Sequence, residues 1–473
     1  GVLLAEADGQ AEVRHRAGAP LAALIEARRI GGPDTRLHAV EDDVFADMLA
    51  RTYRDSASEA AESAAAADDD LAAIADSVAA VDDLLERSDD APVVRLINAI
   101  LLEAVKEGAS DIHVETMESR LVIRFRIDGV LRDIIEPKRS LAPLLVSRIK
   151  VMAKLDIAEK RVPHDGRVSL RVGGQEIDVR VSTLPAQYGE RVVMRLLNRD
   201  AIRLDVDALG MAADDLARFK TLLDRPDGVI LVTGPTGSGK TTTLYSSITR
   251  LNDRKRNIMT VEDPIEYSVE GTAQTQVNAR TDMSFARGLR AILRQDPDVI
   301  MVGEIRDRET AETAVQAAMT GHLVLSTLHT NSAIGSVTRL MDMGVERFLL
   351  SATLTGLAAQ RLVRTLCTAC KVETSASALD AARMQGLVPE GRAIWRAAGC
   401  DACSGDGYRG RSGLYEVVDV DGELAALIHD GAAEADLTAA ARRQGRSLLA
   451  DGAEKILAGI TSVEEVARVA YEE

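Results

Sequence analysis

Lys240 and Thr241 close a run, Gly234-Pro235-Thr236-Gly237-Ser238-Gly239-Lys240-Thr241-Thr242, whose residue types suit one task, holding the phosphates of a nucleotide. Gly234, Gly237 and Gly239 permit backbone angles that side chains resist. Successive N–H groups, with those that open a following helix, then point into one concavity and take phosphate oxygens. A lysine at position 240 reaches the β- and γ-phosphates, and the Thr241 hydroxyl suits Mg²⁺. The apolar stretch Val229–Val232 before the run and the helix-forming residues after it supply the context that a mere glycine-rich turn lacks.

Hydrolysis needs a group that orients water and groups that stabilise transition-state charge. Asp298-Val299-Ile300-Met301-Val302-Gly303-Glu304-Ile305-Arg306-Asp307 reads as a buried strand ending in an acid. Glu304 is the candidate base, with Gly303 where an Mg²⁺-bound Asp is common; a surface ion pair of Glu304 with Arg306 is the alternative. Thr260-Val261-Glu262-Asp263-Pro264-Ile265-Glu266 places Glu262 and Asp263 at a second strand end, suited to water-mediated Mg²⁺ binding, or with Asp263 as a helix cap. His322 and His329 flank a third strand, where each either senses a phosphate or serves structure. Arg287, Arg290 and Arg294 share a helix face. Arg180 and the pair Arg191 and Arg195 stand on strands, either as arginine fingers across a subunit or domain boundary or as solvated charge.

Four strands, Val229–Thr233, Ile258–Val261, Val299–Val302 and Leu323–Thr327, alternate with helical patterns, the mark of an α/β core with a parallel sheet. Ser351 is expected to cap a further helix over Ala352–Leu362. Upstream, Val93, Ile97, Leu101, Leu102 and Val105 predict an amphipathic helix. Leu121–Ile127 with Val130-Leu131, and Val168–Val172 with Ile177–Val181, read as hairpins, and Val192–Leu197 as another strand. That is an α+β domain. The partition expected is a module over 1–54, an acidic linker over 55–90, the α+β domain over 91–203, the nucleotide core over 204–363, a cysteine segment over 364–414 and a helical region over 415–473. In the first module Ala11–His15 reads as a strand, with Leu21, Leu24, Ile25, Val44, Met48 and Leu49 at helical spacing. Asp55–Asp70 lacks large apolar residues and is expected to be a disordered or weakly helical linker.

At 473 residues the chain exceeds one core. Its net charge of −17 argues against a broad nucleic-acid surface. No apolar run reaches membrane-span length and the N-terminus does not read as a signal peptide, so a cytoplasmic protein is expected. All four cysteines form two pairs, Cys367-Thr368-Ala369-Cys370 and Cys400-Asp401-Ala402-Cys403, the arrangement of two knuckles around a structural Zn²⁺. A redox pair and simple buried thiols are the alternatives.

With these motifs in order, the chain resembles the secretion ATPases of the type II secretion and type IV pilus superfamily, nearest to the type II secretion motors. The residues that carry the likeness are Gly234–Thr242, Thr260–Glu266, Arg294–Asp307, Thr320–Asn331, Glu159–Arg167 and Asp178–Pro185. The family usually has Gln where His164 stands. The likeness is dense from Pro92 to Glu473 and weaker before it. It implies a RecA-like core preceded by a PAS-like α+β domain, a homo-hexamer, ATP and Mg²⁺ as cofactors, and a zinc-binding tetracysteine insertion. It makes Arg180 and Arg195 the expected arginine fingers and gives Arg290 and Arg294 interface roles. It also implies docking of the N-terminal module on the cytoplasmic domain of an inner-membrane secretion protein, with force delivered to an inner-membrane platform protein at the cytoplasmic face. Anionic lipid is a further expected partner, given the basic character of the α+β domain. A type IV pilus extension ATPase, a nucleic-acid translocase and a nucleotide-regulated scaffold are the alternatives.

Overall fold

The computed structural model describes residues 2–7, 10–16, 19, 23–24, 27–29, 35–41, 44–45, 48, 71, 91–172, 175–198 and 205–470. The chain divides into two compact units, Gly1–Ile202 and Arg203–Glu473.

In the first unit, β1 (Val2–Ala7) pairs antiparallel with β2 (Gln10–Arg16), which pairs parallel with β3 (Arg36–Val40). The expected strand Ala11–His15 lies within β2. The guanidinium of Arg16 lies 5.1 Å from the ring centre of buried Phe45. The proposed linker Asp55–Asp70, and Leu21, Ile25 and Leu49, lie outside the described residues. A six-stranded antiparallel sheet follows, made of β4 (Ala109–Thr116), β5 (Leu121–Ile127), β6 (Val130–Ile135), β7 (His164–Val172), β8 (Gln175–Ala186) and β9 (Gly189–Asn198), in the order β6-β5-β4-β9-β8-β7. Both expected hairpins form. The amphipathic helix Ala91–Lys106 and the helix Ala142–Met152 share a core with the sheet that includes Leu96, Ile97, Ile100, Leu145, Ile149, Phe125 and Val181.

Period-2 alternation leaves the other side chains of these strands away from that core. Register there aligns Arg126, Asp111, Arg195, Arg180 and Arg167 across five adjacent strands. One carboxylate among four guanidiniums leaves that row strongly basic.

The second unit is built on a seven-stranded sheet: β10 (Gly228–Thr233), β11 (Ile258–Glu262), β12 (Thr272–Gln276), β13 (Val299–Val302), β14 (Leu323–Leu328), β15 (Leu354–Leu366) and β18 (Tyr408–Asp419). The order is β12-β11-β13-β14-β10-β15-β18, parallel throughout except for the antiparallel β18 at one edge. Alternate residues serve two cores: Val229 and Leu231 pack with one cluster, Ile230 and Val232 with the other. Burial on both faces explains the continuous apolar runs of these strands.

One expectation fails here. Ala352–Leu362 is not a helix capped by Ser351; Ser351 lies inside the helix Arg347–Thr353, and β15 follows. Its apolar residues have no helical period, and β15 lies between β10 and β18 with most of its residues buried. The core sheet therefore runs on to Asp419, and the cysteine segment is inserted between two of its paired strands, with its own hairpin of β16 (Val372–Ser375) and β17 (Ala393–Arg396). The C-terminal helices are Gly422–Asp430, Glu434–Gln444, Leu448–Leu457 and Val463–Ala470.

Candidate active site

Parallel strands put their C-terminal ends on one edge of a sheet, and an open α/β sheet binds ligands at that edge where the strand order reverses. β10 ends there at Thr233, and the next strand in sequence, β11, lies three places away. The glycine-rich loop leaves from this point. Gly234, Gly237 and Gly239 have φ of +151°, +80° and +88°. A Cβ at Gly234 would lie 2.4 Å from the Gln360 carbonyl oxygen, and one at Gly239 2.7 Å from the Gln360 amide nitrogen. Gly237 has open space where its Cβ would be. The helix Lys240–Leu251 starts at Gly239 with no side-chain cap, so its first N–H groups are available to an anion. Ser238 is buried and its hydroxyl has no partner. Uncapped donors, an orphaned hydroxyl and a lysine at one turn fit a polyphosphate.

Lys240 is folded back, donating to the carbonyls of Gly234 at 2.7 Å and Pro235 at 3.0 Å. Burial pulls its ammonium down to about 8; Glu304 opposes that shift and Arg361 adds to it. Thr241 is exposed and Thr242 half-buried. Pro235, Thr236 and Gly237 form the exposed outer wall of the loop.

Glu304 follows β13 and is mostly buried. Arg306 pairs with one carboxylate oxygen, and His329 Nε2 lies 3.4 Å from the other. The ion pair with Arg306 thus forms, but inside a three-residue cluster at the sheet edge; Arg306 also lies 3.9 Å from Asp263. His329 follows β14, which separates β13 from β10, so the strand order itself places the histidine between glutamate and phosphate loop. Thr233 and Thr330 join their hydroxyls beneath, and Thr233 Oγ1 also donates to the carbonyls of Leu328 and Thr330. A Cβ at Gly303 would already touch Glu262 Cα and the Val261 carbonyl at 3.4 Å and Phe285 at 3.5 Å, so the position suits glycine and not the missing aspartate. Asp307 caps the helix Arg308–Met319 by accepting from Thr310 N.

His322 is not brought to this edge. It precedes β14 at the opposite end, where its carbonyl accepts from Gly228 N, and Nδ1 lies 2.8 Å from the Ala317 carbonyl and 3.1 Å from Thr320 Oγ1. A six-residue strand puts about 20 Å between it and the phosphate loop. Its partners are those of a structural histidine.

Glu262 reaches the right edge but turns inward. Its carboxylate accepts from the Tyr245 hydroxyl, from Thr260 Oγ1 at 2.5 Å and from Gln274 Nε2 at 3.0 Å. It anchors the phosphate-loop helix to β11 and has no exposed oxygen for a hydrated Mg²⁺. Asp263 remains at the edge, and no helix follows it. Tyr245 also accepts from the N–H of Glu266 and of Tyr267, and burial and the carboxylate hold its phenol protonated. Tyr245→Phe would orphan these groups together and is expected to cost about 2–3 kcal/mol. Denaturant unfolding checks this: a midpoint unchanged from wild type would refute the anchor.

Arg290 pairs with Glu309, and Arg294 donates to the Arg290 carbonyl on the same exposed face; Arg287 pairs with Asp282. Arg195 is half-exposed and bonds Asp111 at 3.0 Å, with Arg180 its register partner. Both belong to the first unit.

The four cysteine sulfurs lie within 4.8 Å of one another, with Cys367–Cys400 at 4.0 Å and Cys370–Cys403 and Cys400–Cys403 at 3.8 Å. A tetrahedral Zn²⁺ with bonds of about 2.3 Å spaces its sulfurs about 3.8 Å apart. Burial alone would raise the Cys403 thiol, but N–H donation from Cys400 and Gly407 prevails and brings it down to about 7. Cys370 is pushed up to about 11.

Tyr245, Gln360 and Arg361 were not singled out by sequence. The first is an ordinary aromatic at helical spacing. The other two fall in the stretch expected to be helical, where nothing points toward the phosphate loop.

Residues 86–468 match the family described as type II/IV secretion system protein, and residues 1–53 match the N-terminal domain of GSPII protein E. The type II secretion system protein E of Pseudomonas aeruginosa is 58% identical over 456 residues, covering 96% of this chain and 91% of its own. The type II secretion system ATPase E of Vibrio cholerae is 54% identical over 466 residues, covering 98% and 93%. Among solved structures, the pilus retraction motor PilT with bound ADP is 29% identical with a TM-score of 0.54, over 79% of this chain and 96% of that one.

Proposed function

The chain belongs to the type II/IV secretion system protein family, and from that premise we propose that it is the ATP-hydrolysing motor of type II protein secretion, powering pseudopilus assembly. The observation that carries the reading is one sheet edge holding the phosphate loop, Glu304 and His329 together, in a chain matched over nearly its whole length by type II secretion ATPases.

In this reading Gly234–Thr242 hold the triphosphate, Lys240 leaves its resting carbonyls for the β- and γ-phosphates, and Thr241 binds Mg²⁺. The ion would neutralise phosphate charge. Glu304 orients and deprotonates the attacking water, His329 senses the γ-phosphate, and Asp263 takes the place at the strand end that Glu262 leaves. Arg180 and Arg195 serve as arginine fingers within a homo-hexamer, with Arg290 and Arg294 at its interfaces. A structural Zn²⁺ holds Cys367, Cys370, Cys400 and Cys403.

Among the described residues no helix is long and apolar enough to cross a membrane. We place the protein at the cytoplasmic face of the inner membrane, held there through its N-terminal module by the cytoplasmic domain of a membrane partner and acting on a platform protein. Anionic lipid is a further candidate partner of the basic α+β domain; ATPase activity unchanged by anionic liposomes would remove it. The six domains proposed from sequence remain the working partition, with the core sheet extended to Asp419.

Deleting the gene is expected to leave secreted enzymes in the periplasm while type IV pili still extend. Wild-type chain restores release and Lys240→Ala does not. Loss of pili with normal secretion would instead favour the pilus extension ATPase.

A further inference from the structure

Arg361 is buried on β15, directly beneath the phosphate loop, yet no carboxylate pairs with it among the described residues. Its Nη1 donates to the Gln360 carbonyl at 3.0 Å, and its Nη2 donates to the Asn331 carbonyl at 2.8 Å. The same Nη1 lies 3.1 Å from where a Cβ on Gly234 would be, so the guanidinium presses on the first glycine of the loop. Asn331 stands two residues beyond His329, which touches Glu304. One cation thus grips the loop that holds phosphate and the segment that carries the water-orienting pair. Gln360 completes the floor: its Oε1 accepts from Thr243 Oγ1 on the phosphate-loop helix at 2.7 Å, and its amide nitrogen abuts Gly239.

Burying a guanidinium against carbonyl groups alone costs stability, and an apolar side chain of similar length would fill the space without that cost. Features that break the rules of stable packing concentrate where function demands them. Burial also depresses the Arg361 guanidinium, so its charge is held there against desolvation.

We propose that Arg361 is a positioning residue for ATP hydrolysis: it fixes the distance between the phosphate loop at Gly234 and the His329–Asn331 segment, so that Glu304 and the γ-phosphate meet in line. It touches neither substrate nor water itself. The proposal rests on the ATPase reading, which wild-type turnover and the Glu304→Gln control test on their own.

The experiment compares full-length wild type, Arg361→Met and Arg361→Lys by steady-state hydrolysis, fluorescent ADP binding and thermal unfolding. Arg361→Met keeps the volume and deletes the charge. Its kcat is expected to fall about 10²-fold, the scale of an ångström of misplacement, with KM and ADP affinity within about three-fold, because the lost interaction matters in the transition state only. Its melting temperature stays level or rises. Arg361→Lys, which keeps a charge and one carbonyl bond, recovers part of the rate. The proposal is overturned if Arg361→Met retains kcat within about three-fold, if the loss falls on KM and ADP affinity instead, if Arg361→Lys is no faster than Arg361→Met, or if lost activity follows a lowered melting temperature. Failure of wild type to hydrolyse ATP would overturn the ATPase reading instead.

Discussion

Glu304→Gln hydrolyses ATP about 10³-fold more slowly than the wild-type chain, within the range for a lost general base, and binds ATP as tightly. The substitution keeps the size and planarity of the group while removing its charge and its ability to take a proton. Lys240, the uncapped helix start and the Ser238 hydroxyl, which face the phosphates, are untouched. The amide oxygen still accepts from Arg306, so the neighbourhood of His329 keeps its shape. Only the transition state loses an interaction, so kcat and kcat/KM fall together. Phosphate-release assays and ATP binding by the same samples check this. Equal rates for variant and wild type would remove Glu304 from the mechanism.

Metal removal has the second large effect. Purified wild-type chain is expected to carry about one Zn²⁺, and Cys403→Ser to carry far less. Four sulfurs within 4.8 Å are held at that spacing without an open position for water, so the ion acts on folding and not on chemistry. Binding at such sites contributes on the order of 10 kcal/mol to the fold it closes. The segment has other attachments: Arg364 bonds Glu465 and Asp406, Lys371 donates to the Gly459 carbonyl, and Leu366 N donates to the Ile460 carbonyl. Cys403→Ser should therefore loosen Cys367–Tyr408 locally before it unfolds the core sheet. Rapid amide exchange confined to that segment, with β10 and β14 still protected, is the expected pattern. A variant with unaltered exchange, or a wild type with much less than one metal per chain, would refute the site.

How far the site could be read depended on where its chemistry lies along the chain. The phosphate loop is contiguous, and each residue's task follows from its type and its neighbours. The cysteine pairs are legible for the same reason, since two short spacings define two knuckles. Glu304 and His329 were legible as strand ends. His322 satisfied the same pattern and was misassigned, because a residue before a strand and one after it look alike until the direction of the strand relative to β10 is known. Glu262 was assigned to the edge correctly, but its side chain turns to Tyr245, a partner 17 residues away on another element. Arg361 was hidden by a misread helix, since an apolar run buried on both faces carries no period.

Sequence alone determined that this chain binds a nucleoside triphosphate, that a glutamate without a preceding aspartate serves it, and that four cysteines are grouped for a metal. Those features are local, and local geometry follows from glycine, helix start and spacing. The tertiary structure decided which of the other charged groups reach that nucleotide site. Parallel pairing in the order β13-β14-β10-β15 gathers C-terminal strand ends, which admits His329 and excludes His322. It also slides β15 under the loop and buries Arg361 there. Strand order is set by the summed burial of residues far apart in the chain, and no short stretch of sequence contains it.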